Sequence, residues 1–299
     1  MRVPTNTAAS TVIDQLRRLS QHQANLQNQV STGQRIFQPG DDPAAVGRVI
    51  ANEMEQRSLH QFRRNADTAL ELSSATFSSL KELKKVSDRA GELVTLGSGA
   101  SSPDALRAYA AEVNQLIEQA VSLGNSRFRN DYVFSGTAVD TTPVTVTRDA
   151  VTDEVTTAAY AGNANQILVP LAEGSSLAPG SDAATNNGIV GFINALVDLR
   201  DALAGGDPVD VANARAPLDA GEDLFVSALS EHGAIQLRIE VSQAQQQARL
   251  DELSRLVSVD ADADLPSTVV KLNQAATAYE AALASASDIL QMSLMDYLR

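Results

Sequence analysis

The chain has 299 residues, 43% hydrophobic, 20% charged and 4% aromatic, with neither Cys nor Trp. The apolar content excludes wholesale disorder, and the missing cysteines exclude a disulfide scaffold, a thiolate metal site and a cysteine nucleophile. A net charge of −14 argues against a general nucleic-acid binder, and the length suggests roughly two domains at about 150 residues each.

The charge is unevenly spread. Residues 1–136 carry 15 Lys and Arg against 14 Asp and Glu, a net of +1, so the net negative charge lies wholly in 137–299, at −15. Segment 1–36 is net +3 and segment 260–299 is net −4, which lets the two ends approach without repulsion. The first twenty residues lack the apolar core of a secretory signal. The longest apolar stretch, near Ile189–Val197, is interrupted by Gly191 and Asn194 and is too short to span a membrane.

From the N-terminus, Val12, Leu16, Leu19, Leu26 and Val30 step by three and four, with Gln23 breaking the stripe. This narrow coiled-coil seam stops at Ser31-Thr32-Gly33, where Gly supplies a helix-ending conformation. Asp42 then caps a long helix whose first position suits Pro43. Helical spacing continues without Pro to Gly97-Ser98-Gly99, a helix stop and not a phosphate cradle, since no strand precedes it. From 43 to 96 such a helix is about 80 Å long at ~1.5 Å per residue. The expected shape is therefore a rod, unless the helix breaks at the weakly apolar stretch Gln56–Arg64. Ser102-Pro103-Asp104 opens a third helix, which runs through Leu123, and Tyr132–Gly136 reads as a short β-type run.

Between 137 and 187 the segments 142–148, 154–160 and 166–171 are rich in β-branched residues and separated by Gly, Pro and Asn turns. Helices return over Ile189–Leu203 and near 217–258. Asp260, Asp262 and Asp264 read as a solvated linker, because the loop lacks the central Gly and twelfth-position Glu of a calcium site. The last segment steps through Val269, Leu272, Ala276, Tyr279, Leu283, Ala286, Leu290, Ser293 and Tyr297, a sustained seam of about four heptads. The terminal helices are too thinly apolar to be stable alone and must pair with each other or with neighbouring copies.

The predicted fold is mainly α: an elongated rod of long helices with paired terminal coiled-coil segments and a small β-rich insertion. The expected division is 1–36 with 265–299, 37–136 with 188–264, and 137–187. No nucleotide-binding, zinc-protease or nucleophile-elbow motif occurs, and His22, His60 and His232 are scattered. Catalytic, cofactor and metal residues are therefore not assigned. His22 and His60 read as surface residues, and Tyr279 and Tyr297 as core or interface.

Four motifs in order carry a family likeness. Ser31-Thr32-Gly33-Gln34-Arg35-Ile36 with Asp41-Asp42-Pro43-Ala44 resembles the N-terminal signature of the flagellin superfamily. Tyr132-Val133-Phe134-Ser135-Gly136 is similar to the motif closing that family's first helical block, and Gly233–Glu240 to the return into its C-terminal helices. The ending Ala281-Ala282-Leu283 and Ile289–Leu298 resembles the members that form the hook–filament junction. A flagellin's usual Gln-Ala-Asn ending with a Leu-rich tail is not seen.

The resemblance implies an assembly subunit at the bacterial flagellum, exported without a cleaved signal. Its terminal segments would order on incorporation into the inner tube, and its insertion would project outward. The implied partners are further copies in a ring, hook-associated protein 1 on the hook side, flagellin on the filament side and an export chaperone. The expected assembly residues are Leu16, Leu19, Leu26, Val30, Leu272, Tyr279, Leu283, Leu290 and Tyr297. A flagellin filament subunit is the alternative. A helical pore-forming protein would need a longer apolar stretch, and an enzyme has no residues in its favour.

Overall fold

A computed structural model of the chain describes residues 6–99 and 102–297, with side chains over 10–99 and 102–288. Three helices, α1 (Asn6–Thr32), α2 (Pro43–Gly97) and α3 (Pro103–Gly124), precede six short strands. The strands are β1 (Arg127–Phe128), β2 (Asp131–Tyr132), β3 (Val144–Arg148), β4 (Val155–Tyr160), β5 (Val169–Ala172) and β6 (Ser175–Leu177). Helices α4 (Ala183–Gly205), α5 (Pro208–Asn213), α6 (Arg215–Ala261) and α7 (Leu265–Tyr297) follow. The fold is thus mainly α, with three antiparallel strand pairs, β1–β2, β3–β4 and β5–β6.

Two compact units result, the first formed by residues 1–58 with 248–299 and the second by 59–247. Helices α2 and α6 contribute to both. The stretch Gln56–Arg64, a potential break by sequence, stays helical. Polar lacing from α6 replaces the weak apolar stripe there. In the first unit Arg249 donates to both carboxylate oxygens of Glu55 at 2.7 and 3.0 Å, and Gln56 donates to Ser254. In the second unit Arg63 donates to Gln247, and Gln243 to Asp67.

The second unit carries the main core. Leu80, Leu83 and Leu93 of α2 pack with Val113 and Ile117 of α3, Phe192 and Leu196 of α4, and Phe225 of α6. Helix starts follow the sequence signals. Ser102 caps α3 by accepting from the Ala105 amide, and the Asp182 carboxylate caps α4 by accepting from Thr185 at 2.7 Å. Gly206, at φ 76°, ends α4 in the left-handed region that favours glycine.

The β-rich segment is fastened to these helices by side chains that mimic a neighbouring strand. Asn194 of α4 accepts from the Ala158 amide at 2.8 Å and donates to the Ala158 carbonyl at 3.1 Å. Asn125 brackets Val144 in the same way, at 2.9 Å each. The Tyr160 hydroxyl lies 3.0 Å from the carbonyls of both Phe134 and Asn163. Two details depart from expectation. Of the predicted run Tyr132–Gly136 only Tyr132 lies in a strand, because Val133, Phe134 and Ser135 turn inward and are buried. In addition, β6 arises from a stretch read by sequence as a turn, closing a hairpin onto β5 after Gly174 at φ 70°.

Candidate assembly interface

In the first unit α1 packs along α7. The expected α1 seam holds: Leu26 is 5% exposed, and Val12, Leu16, Leu19 and Val30 are half-buried. Gln23, the break in the apolar stripe, is half-buried on the same line.

On α7 the buried line differs from the one read by sequence. It runs Thr268, Leu272, Ala275, Tyr279, Ala282, Ala286, alternating steps of four and three. Three of the expected positions, Leu272, Tyr279 and Ala286, belong to it. Val269 and Leu283 do not, and both are exposed, Leu283 at 43%. The physical reason is side-chain size. Ala275 and Ala282 let the two helices approach closely, which rotates the bulkier neighbours outward. Thr268 tolerates burial because its hydroxyl donates to the Asp264 carbonyl at 2.8 Å. The side chains of Leu290 and Tyr297 lie outside the described residues.

Helix α7 therefore carries two columns flanking a shared one. The column 268, 275, 282 faces α1. The column Val269, Ala276, Leu283 repeats every seven residues on the other flank, half-buried only at Ala276. Position 290 continues that column by spacing.

The ends of four helices meet beneath this pair. Gly33, at φ 73°, ends α1, and its carbonyl accepts from Ala263 at 2.8 Å. The Arg35 amide donates to Ala261 at 2.7 Å, so residues 33–35 and 261–263 clasp antiparallel through the bridge between Gln34 and Asp262. The Arg35 guanidinium donates to the Asp260 carbonyl through Nε at 3.2 Å and Nη2 at 2.6 Å, and to Asp42 Oδ2 through Nη1 at 3.2 Å. Asp42 Oδ1 meanwhile caps α2 by accepting from Ala45 at 3.0 Å. Arg48 donates to both Asp260 carboxylate oxygens, at 3.0 and 2.5 Å. Asp41 accepts from the Phe37 and Gln38 amides at 2.9 Å, fixing the loop between α1 and α2.

This arrangement corrects the solvated-linker reading at Asp260, whereas Asp262 and Asp264 are exposed between α6 and α7 as read. The Asp260 side chain is only 17% exposed, because a bidentate Arg48 covers it while Arg35 takes its carbonyl. Arg48 and Asp260 were not singled out as a pair by sequence reasoning. The available signal was the charge contrast between the two ends, of which Arg35 and Asp260 are members.

Electrostatics give this hub a defined acid response. Hydrogen bonding from the Ala45 amide and then Arg35 holds the Asp42 carboxyl below its ordinary value, and hydrogen bonding from Arg48 does the same for Asp260. Both carboxyls bind protons less readily folded than unfolded. Their stabilisation is thus complete above the unfolded value of about 3.9 and is lost as pH falls through the lower folded values. We expect amide protection over residues 29–48 and 258–270 to decline below about pH 4. Asp260→Asn should flatten part of that decline, measured by hydrogen exchange with correction for intrinsic rates. An identical acid profile in the variant would remove Asp260 from the response.

His22 and His60 are exposed, as read by sequence. Among the described residues no helix is long and apolar enough to cross a membrane.

Comparison with known proteins agrees with this geometry. Residues 3–139 match the bacterial flagellin N-terminal helical region. The chain is 28% identical over 117 residues to the flagellar hook-associated protein 3 of Escherichia coli, covering 38% of this chain and 37% of that one. The match thus spans well under half the length of that curated relative. In fold, the chain is similar to Bacillus cereus FlgL, with a TM-score of 0.60 at 18% identity, covering 70% of this chain and 99% of that one. It is also similar to the flagellar junction protein FlgL of Legionella pneumophila, with a TM-score of 0.55 at 12% identity, covering 72% and 100%. The ordered motifs and these likenesses make the chain one that resembles flagellar hook-associated protein 3, with the match to the flagellin N-terminal helical region confined to residues 3–139.

Proposed function

We propose that the chain is a structural subunit of the bacterial flagellum that forms the junction between hook and filament. One observation carries the reading. The heptad column Val269, Ala276, Leu283 lies beside the seam already satisfied by α1, with large apolar side chains left in water at both described ends. A second helix-binding column on an exported assembly protein fits a neighbouring copy. Burial of Leu16, Leu19, Leu26, Val30, Leu272 and Tyr279 aligns α1 with α7, and Leu283 with Leu290 and Tyr297 extends the contact between subunits.

In this reading 1–36 with 265–299 form the inner-tube segments, and 37–136 with 188–264 the helical rod domain. Residues 137–187 form the outward β-rich part. The partners are further copies in a ring, hook-associated protein 1, flagellin, and an export chaperone before secretion. The names of the relatives, hook-associated and junction proteins, support a flagellar location and a structural, non-enzymatic role.

Removing the chain from its bacterium tests the assignment. The expected result is hooks without filaments, with flagellin shed into the medium because it has no base to add to. Restoring the full chain should restore filaments. If removal leaves no flagellin in the medium either, the chain is itself the filament subunit and the junction role falls.

A further inference from the structure

Of the three histidines, His232 of α6 is the buried one, at 3% exposure. Its Nδ1 lies 3.2 Å from the hydroxyl of Ser73 on α2, and Ser73 is itself fully buried. Both residues belong to the second unit. Neither has a part in the terminal-helix interface.

The charged surroundings of this ring are sparse. From α2 it meets the neutral Ser73 hydroxyl. From the start of α4 the acting charge is Asp182. That carboxylate is already committed, because its Oδ1 caps α4 by accepting from the Thr185 amide. An imidazolium would draw on the same carboxylate that caps α4. Where Nδ1 is the unprotonated nitrogen of the neutral ring, the Ser73 hydroxyl donates to it, and protonation would require that hydroxyl to turn round and accept while a charge is buried.

We propose that His232 is a proton-sensitive clasp joining α2 to α6, closed while the ring is neutral and loosened when it takes up a proton. Burial supports this by pushing the ring's pKa below that of free histidine, with Asp182 opposing only in part. The sign follows directly. The folded unit binds fewer protons than the unfolded chain, so the clasp's contribution is complete above about pH 6.5 and is lost as pH falls below it. A histidine thereby places an acid response well above the range in which the carboxylate hub of the first unit titrates.

Hydrogen exchange on the full chain, read in peptides over 66–80 and 226–240 and corrected for intrinsic rates, is the test. Between pH 7.5 and 5.5 the wild-type chain should lose protection in both peptides, by at most about tenfold, because the unfolded value near 6.5 lies about one unit above the lower pH. His232→Gln, which keeps a polar side chain but cannot titrate, should show a flat profile. A flat wild-type profile, or the same decline in His232→Gln, overturns the proposal. Should that variant not fold, the wild-type imidazole resonances decide. His232 must titrate below the free-histidine value of about 6.5, and a midpoint at or above that value overturns the proposal.

Discussion

Leu283→Asp is expected to abolish incorporation into the assembled structure while leaving the isolated chain folded. At 43% exposure Leu283 stands outside the α1–α7 seam, where substitutions usually change stability by no more than about 0.5 kcal/mol. The same change is severe if that side chain is buried between copies. An unpaired carboxylate in a helix–helix seam costs several kcal/mol, roughly 3–5 by analogy with broken buried pairs, and a ring repeats the cost at every contact. Leu290→Asp, one heptad further along, should behave alike.

Leu26→Ala supplies the contrast. Leu26 is buried on α1 facing α7, so truncation should weaken the pair by about 2–3 kcal/mol and lower both helicity and incorporation. Circular dichroism melts of the isolated chains, with recovery of each variant in purified hook fractions, separate the two effects. Normal incorporation of Leu283→Asp would sink the outward column as an assembly surface. Loss of its helicity in the free chain would mean that the residue supports the fold instead.

The seam itself shows how far sequence reasoning carries. Steps of three and four name Leu272, Tyr279 and Ala286 correctly, because any helix that pairs at all must bury the middle of its apolar stripe. They do not decide which flank turns inward. That choice depends on Ala275 and Ala282, whose merit is smallness, and hydrophobic spacing gives small residues little weight. The hub was hidden for a different reason. Arg35 and Asp260 are 225 positions apart, and one of the two groups that Arg35 binds is a backbone carbonyl, which carries no side-chain signature. The helix starts at Pro43 and Pro103 were legible because capping is local. The positions of Asn125 and Asn194 were not, since each serves a strand brought near only by the fold.

Phe192→Ala is expected to destabilise the second unit by about 3–5 kcal/mol, a large part of a typical domain's 5–15 kcal/mol. Phe192 is 2% exposed and meets Phe225 edge-on, with ring centroids 5.1 Å apart at 82°. For a unit of this size the melting temperature should drop on the order of 10 °C. The same ring explains Gly221, in the second turn of α6, where glycine costs about 1 kcal/mol of helix propensity relative to Ala. A Cβ there would sit 2.7 Å from Phe192 Cδ2, closer than side chains pack. Gly221→Ala should thus cost about 1–3 kcal/mol with the ring present. In the Phe192→Ala background the ring contacts are gone and only the Cβ of residue 192, 3.3 Å away, remains, so the same substitution should cost much less or become stabilising. Residues in contact show such coupling, and a change of sign across the cycle is its strongest form. An equal cost for Gly221→Ala in both backgrounds would mean that the glycine accommodates something other than this ring.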